Sequence, residues 1–295
     1  MKRVTWRLQN ACARPELPSS FAKSLIVTQN PRAPFLASAE NISLPANGIQ
    51  PAMTKLLRAG ITLWLASRIC FALASAQMAD PALNDGLKLL EEARTTLEDV
   101  ALTNAQTYFA KLTQQHPENA IYFYELARVH SYRCSALSMR GEKKKAEHAL
   151  DDAVTAVQQS LKLEEKSADA HSLLADLYGR KIGFGMGMFA GPKYGPKVQA
   201  ENKRAQELDP NNPRVLASLG RQYLEAPHMF GGDLDKAIAS FRKSLELDPK
   251  SDETYIWLAM ALRKKGDTAG AEQALQQALQ LNPRSAFAKS TAEKH

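Results

Sequence analysis

One four-residue phrase recurs through the last third of the chain. It reads Glu207-Leu208-Asp209-Pro210, then Glu246-Leu247-Asp248-Pro249, then Gln280-Leu281-Asn282-Pro283. Degenerate forms stand earlier, as Lys162-Leu163-Glu164-Glu165 and Gln115-His116-Pro117. The phrases end at 117, 165, 210, 249 and 283, so their separations shrink from 48 to 45, 39 and 34 residues. A unit this short cannot bury its own apolar face. Copies must therefore stack, and the repeat constrains the fold more tightly than composition does.

The last unit shows what is repeated. Tyr255, Leu258 and Leu262 fall on one helical stripe, with Ala259 small enough for two helices to cross there. Gly266-Asp267 breaks the helix, Ala271, Leu275 and Ala278 form a second stripe, and Pro283 ends it. Leu216, Leu219, Gly220 and Tyr223, followed by Ala237, Phe241, Ser244 and Pro249, give the same pattern. His171, Leu174, Ala175 and Tyr178 with Val198, Ala205 and Pro210 map likewise, as do Phe123, Leu126, Ala127 and His130 with Ala153, Val157 and Ser160. In the first copy only the second helix is clear, from Ala105, Phe109 and Pro117; a departing helix around Leu87–Leu97 reads as a cap.

This pattern resembles the tetratricopeptide repeat. The resemblance implies an all-α, right-handed superhelical solenoid of antiparallel helix pairs with one continuous core and a concave groove. It places repeats at 84–117, 118–166, 167–211, 212–250 and 251–284 within a folded region of 77–292, with Arg284–Ala292 as a closing helix.

The residues in excess of 34 fall between the two helices of each repeat. Those at Cys134–Ala149 are good helix formers, which predicts two lengthened helices joined at the basic turn 140–145. Residues 179–195 instead hold six of the fifteen glycines, interleaved with Ile182, Phe184, Met186, Met188, Phe189 and Tyr194. One reading is a loop whose apolar side chains fold back over neighbouring helices, with glycine permitting close approach. The other is an apolar lip that touches a partner or lipid. Gly185-Met186-Gly187-Met188-Phe189-Ala190 has the spacing of a dinucleotide fingerprint, but it follows a helix where that site needs a strand, so no nucleotide site is expected. In the remaining insertion Pro227 stops a helix, Gly231-Gly232 turns the chain and Asp233 starts the next helix. The Phe230-Gly231-Gly232-Asp233 turn is similar to turns of exported bacterial repeat proteins, including the T-component of TRAP-type transporters.

The chain carries a net charge of +7, which by itself invites nucleic acid or an anionic surface as partner. Residues 1–76 hold nine Lys and Arg against two Glu, so the whole excess lies there and 77–295 is neutral. Nucleic acid is therefore not expected. Met53, Lys55 and Arg58, an apolar run from Ala59 to Leu73, and Ala74-Ser75-Ala76 compose a secretory signal cleaved before Gln77. Arg68 interrupts the apolar run and argues against a membrane span. Cys70 lacks the flanking residues of a lipid-anchor site. Residues 1–52, with six prolines and no apolar period, read as disordered, as a transit segment, or as a stretch upstream of a true start at Met53. A secreted or periplasmic location follows as an expectation.

Chemistry finds little purchase. No G-x-S-x-G, H-E-x-x-H or phosphate-binding loop occurs. His130 with Cys134, and His148 with Asp152, each offer half a metal site with no second half, so no metal or cofactor is expected. His130 and His171 sit at packing positions.

Binding has more support. First-helix positions off the packing stripe are Tyr124, Arg128, Tyr132, Ser172, Asp176, Arg180, Arg214, Arg221, Met260, Arg263 and Lys264. Arginines with tyrosines suit carboxylates and extended peptides, although an ordinary solvated helix face has the same composition. The branch of the family that binds chaperone tails carries Lys and Asn four apart. The equivalent positions here are Tyr124/Arg128, Ser172/Asp176 and Ala217/Arg221, which do not match. The expected role is an exported, non-enzymatic scaffold that binds a protein or peptide in its groove; the alternative is a transporter-associated periplasmic carrier of small organic acids.

Overall fold

The structure, a computed structural model, describes residues 80–184 and 189–293, all within one compact unit spanning Gln77–His295. The expected leader, extension and cleavage site, and residues 185–188 of the fingerprint-like segment, Met186 and Met188 among them, lie outside the described residues. Among the described residues there are eleven α-helices and no strand. They pair as α1 (Pro81–Thr96) with α2 (Asp99–Gln115), α3 (Ala120–Met139) with α4 (Lys143–Leu163), and α5 (Ala168–Phe184) with α6 (Ala190–Leu208). Then come α7 (Pro213–Glu225) with α8 (Leu234–Leu247), α9 (Asp252–Lys265) with α10 (Thr268–Leu281), and a closing α11 (Ala286–Glu293). The architecture is a right-handed superhelical solenoid of antiparallel pairs.

Local chemistry sets the helix starts. Asn212 Oδ1 accepts from the N–H of Arg214 at 2.9 Å, with Pro213 in the first helical turn, where its missing N–H costs nothing. Asp233 and Asp267 cap α8 and α10 in the same way. Asp80 caps α1, which starts at Pro81, earlier than the degenerate first copy implies. The long insertion of the second copy lengthens both its helices, to 20 and 21 residues, against 14 each in α9 and α10.

Where paired helices cross, one residue must be small. A Cβ on Gly220 would stand 2.5 Å from the Phe241 ring, and one on Gly86 would stand 2.6 Å from Phe109. The first helix therefore packs on its partner as the later ones do, by a glycine that the degenerate first copy hides. Ala259 fills the position in the last pair and is fully buried.

The core is less continuous than the repeat implies. One apolar cluster spans α7 to α11, another α3 to α6, and a third α1 to α3. Between α6 and α7 only Ala205, Val215 and Leu219 form an apolar cluster. The reason is Asn202, which occupies the position of Phe109 and Phe241 and is buried with the equally buried Ser218. Asn202 donates to Gln222 Oε1 at 2.7 Å, and the Ser218 hydroxyl lies 2.9 Å from Asn202 Oδ1 and 2.7 Å from Asp176 Oδ1.

The described residues of the glycine-rich stretch are helical rather than loop. Gly179 and Gly183 lie in α5, and Gly191 and Gly195 in α6, with Pro196 inside that helix. Nothing stands within 4 Å of a Cβ placed on Gly183, Gly191 or Gly195, so close approach is not what those glycines serve. Packing carries the helices instead: Tyr178 and Tyr194 stack with centroids 5.7 Å apart, and Phe184, Ile182 and Tyr194 cover the apolar cluster. Close approach belongs to the next insertion. A Cβ on Gly232 would lie 1.8 Å from the carbonyl oxygen of Ala226, and Gly231 has φ +91°.

The two ends of the stack meet. Arg94 Nη1 on α1 donates to Asp252 Oδ1 on α9 at 2.8 Å. Asn282 Nδ2 donates to Thr95 Oγ1 at 3.2 Å and to Asp252 Oδ2 at 2.9 Å, and Arg284 pairs with Glu92. Ala286 of α11 packs against the N-terminal apolar cluster. The concave groove is thereby closed into a ring.

Candidate functional site: an arginine-lined inner cavity

The inner wall is built by α3, α5 and α7, completed by the end of α1 and the start of α9. Residues four apart on a helix share one face, so Tyr124, Arg128 and Tyr132 line it together, as do Ser172, Asp176 and Arg180, and Ala217 and Arg221. Arg214 lies at its rim. These residues surround a cavity of about 310 Å³.

Met260, Arg263 and Lys264 are not brought there, which corrects their assignment from periodicity. Met260 packs on the core, Arg263 Nη1 reaches the carbonyl of Thr291 on α11 at 3.5 Å, and Lys264 Nζ donates to the carbonyl of Leu224 at 2.8 Å. In the last pair α11 and the end of α7 occupy these side chains. Of the insertion residues, Phe184 and Tyr194 are packed and Phe189 is exposed.

Ion pairs organise the wall. Equivalent positions follow the phrase spacings, which aligns Asp169 with Arg214 and Glu253, and Arg128 with Asp176 and Arg221. Neighbours in each column pair across adjacent repeats: Arg214 with Asp169 at 2.5 Å, and Arg221 with Asp176 through two hydrogen bonds. Arg128 is held by the buried Glu125 of its own helix at 2.7 Å. Arg180 stands apart. Its guanidinium donates to Ser135 Oγ at 2.8 Å and the Ser131 carbonyl at 3.1 Å, and among the described residues no carboxylate lies within ion-pair distance of it.

The titration of the wall reports its field. Burial pushes the Glu125 carboxyl up, and Arg128 recovers only part of that shift. Burial also pushes Glu253 up, but the charges of Arg221, Arg94, Arg180 and Arg128 outweigh it and hold this carboxylate below its ordinary range. Four guanidinium groups thus favour negative charge at the position of Glu253. Tyr124 and Tyr132 are raised, foremost by burial, and stay protonated as donors. The arrangement suits a carboxylate, which arginine can bind through paired N–H groups.

Arg94 and Glu253 also line this cavity, and Glu125 holds Arg128 there; helical periodicity alone does not single them out. Glu253 was findable, since it follows Arg214 by the spacing of 39. Arg94 was not, because only closure of the ring brings α1 to α9. His130 is buried with an unpartnered Nδ1, and His171 is buried with Nδ1 2.6 Å from Glu201 Oε2. Among the described residues no group of three or more His, Cys, Asp or Glu side chains is placed to hold a metal.

Comparison with known proteins agrees with this architecture. Residues 231–293 match the family model described as tetratricopeptide repeat. No curated protein matches the chain. Among solved structures, the thermophilic TPR protein TTC0263 of Thermus thermophilus is 19% identical, with a TM-score of 0.54, over 72% of this chain and 96% of that one. YrrB, described as a TPR protein with an unusual peptide-binding site, is 17% identical with a TM-score of 0.35, over 75% of this chain and 95% of that one. MamA of Desulfovibrio magneticus RS-1 is 16% identical with a TM-score of 0.35, over 71% of this chain and 99% of that one. At these identities the likeness to the Thermus protein establishes the fold, that of a tetratricopeptide-repeat solenoid.

Proposed function

We propose that this protein is a non-enzymatic interaction scaffold that takes a carboxylate-bearing end of a partner polypeptide into the inner cavity. The observation that carries the reading is the wall itself. Among the described residues Arg180 has no carboxylate partner, and Glu253 feels four guanidinium groups. The ring closure and a volume of about 310 Å³ favour a chain end or an acidic side chain over a long extended segment. The leader-like residues 53–76 support action after export, in a periplasm or outside the cell.

A library of peptides with free carboxyl termini, matched to the same sequences amidated, tests this. Free-acid peptides should bind and amides should not, and Arg180→Gln should weaken binding about tenfold, the loss of one charged hydrogen-bonding partner. Equal binding of acid and amide forms would remove the carboxylate from the reading. The same cavity volume favours one second reading, a small organic acid as cargo; thermal stabilisation by such acids with no peptide bound would select it.

A further inference from the structure

The turns between paired helices all fall on one edge of the solenoid, and the turns between repeats fall on the other. The two edges differ in chemistry. On the between-repeat edge the exposed leucines, Leu163, Leu247 and Leu281, are the phrase residues; Leu163 is followed by Glu164 and Glu165, and Leu247 is flanked by Glu246 and Asp248. On the within-pair edge the insertions of the third and fourth repeats project Phe189, Met229 and Phe230, which are 81%, 80% and 58% exposed. The Gly232 approach to Ala226 and the left-handed Gly231 fix the turn that carries Met229 and Phe230, so their exposure is built in.

Basic residues accompany the Phe189 end of that row, whereas the Met229–Phe230 turn is flanked by Glu225, Asp233 and Asp235. Lys193 and Lys197 are exposed on the first turns of α6, and no acidic residue occurs between 179 and 200. Lys143, Lys144 and Lys145 open α4 on the neighbouring repeat, all exposed. Only Lys145 of these five takes part in an ion pair among the described residues, with Glu142 at 2.6 Å. Exposed Phe189 close in sequence to the unpaired Lys193 and Lys197, with Met229 and Phe230 exposed on the next repeat, matches the interface of an anionic bilayer, where apolar side chains enter the acyl boundary and lysines meet headgroup charge.

We infer that the within-pair edge of the third and fourth repeats docks onto an anionic lipid surface, leaving the inner cavity free. The test is hydrogen–deuterium exchange on the full chain with vesicles of phosphatidylglycerol and phosphatidylcholine. Peptides over 189–197 and 226–233 should exchange at least threefold more slowly with these vesicles, while peptides over 207–212 and 246–251 stay unchanged. Pure phosphatidylcholine should give no such protection. A Phe189→Ser, Met229→Ser, Phe230→Ser variant should lose the protection yet keep its circular dichroism, since these side chains are exposed. Vesicle binding without local slowing, as the apolar run at 59–73 alone would produce, overturns the inference. So does equal slowing on neutral vesicles, and so does protection that grows with protein concentration in the absence of lipid, which would assign the edge to a second copy.

Discussion

Equivalent positions on the second helices of the third and fourth repeats are used on opposite principles. In the fourth, Gly220 lets the fully buried Phe241 ring lie against the α7 backbone, a dry contact. In the third, Asn202 stands where the phenylalanine would, and hydrogen-bonds Gln222 and Ser218, which in turn reaches Asp176. Asp176 holds Arg221 on the inner wall. The dry crossing serves only stability. The polar one ties the packing between α6 and α7 to the charge arrangement of the cavity, and it sits where the apolar core is thinnest.

The dry side should show the largest effect. Phe241→Ala removes a ring with no exposed surface and should cost about 3–5 kcal/mol, read as a fall in denaturation midpoint at constant slope. A cost under about 1 kcal/mol would mean that the Gly220 contact is loose. On the polar side, Asp176→Ala strips Arg221 of its two bonds and Ser218 of a neighbour. We expect about 2 kcal/mol from lost hydrogen bonds to charged groups. Its signature is coupling: a double-mutant cycle with Arg221→Ala should recover on the order of 1 kcal/mol or more, whereas a cycle with Phe241→Ala should be additive.

Asn202→Leu sharpens the contrast further. Alone it leaves the Gln222 amide oxygen without its donor, for a loss of about 1–2 kcal/mol, while the Ser218 hydroxyl keeps Asp176 as its acceptor. Combined with Gln222→Leu it should return most of that loss, because both partners of the lost bond are then gone and Ser218 still donates to Asp176. If the double variant is less stable than Asn202→Leu, the site is polar for packing reasons rather than for its network.

How much of this was legible follows the same division. The phrase spacing of 48, 45, 39 and 34 fixed which residues are equivalent, so the dry crossings at Gly220 and Ala259 and the wall positions Arg128, Asp176 and Arg221 could be read from the chain. Pattern reading fails where the pattern is broken by polarity or by distance. Asn202 does not announce itself, because a helical stripe tolerates one polar member. Gly86 lies in a copy too degenerate to align. Arg94 depends on the two chain ends meeting, a property of accumulated curvature that no single repeat encodes. Glycine content also misled at 179–184 and 190–195, where helices that stack Tyr178 on Tyr194 run through residues that disfavour them singly by about 1 kcal/mol.

The smallest expected effect concerns a second polar intrusion, at the repeat position that Tyr178 and Tyr223 occupy in later copies. His130 is buried there, with Asp152 Oδ2 3.9 Å from its Nδ1 and with Arg133 and His148 nearby. Burial lowers its pKa below the ordinary 6.5; Asp152 opposes the shift, and Arg133 and His148 add to it. A histidine depressed in the folded state is protonated first in the unfolded chain, so unfolding takes up a proton as the pH falls below about 6.5. Stability from this group is fully present above that pH and declines below it, by at most about 1.4 kcal/mol per pH unit. His130→Phe removes the titration while keeping a ring of suitable size. Urea midpoints measured from about pH 7.5 to 5.5, the window that brackets the ordinary imidazole value, should therefore fall less steeply in the variant than in the wild type. The Asn202 network holds no histidine, so Asn202→Leu should shift all midpoints equally. Parallel pH profiles for wild type and His130→Phe would show that the buried imidazole is not destabilised by acid, and that of the two polar intrusions neither senses pH.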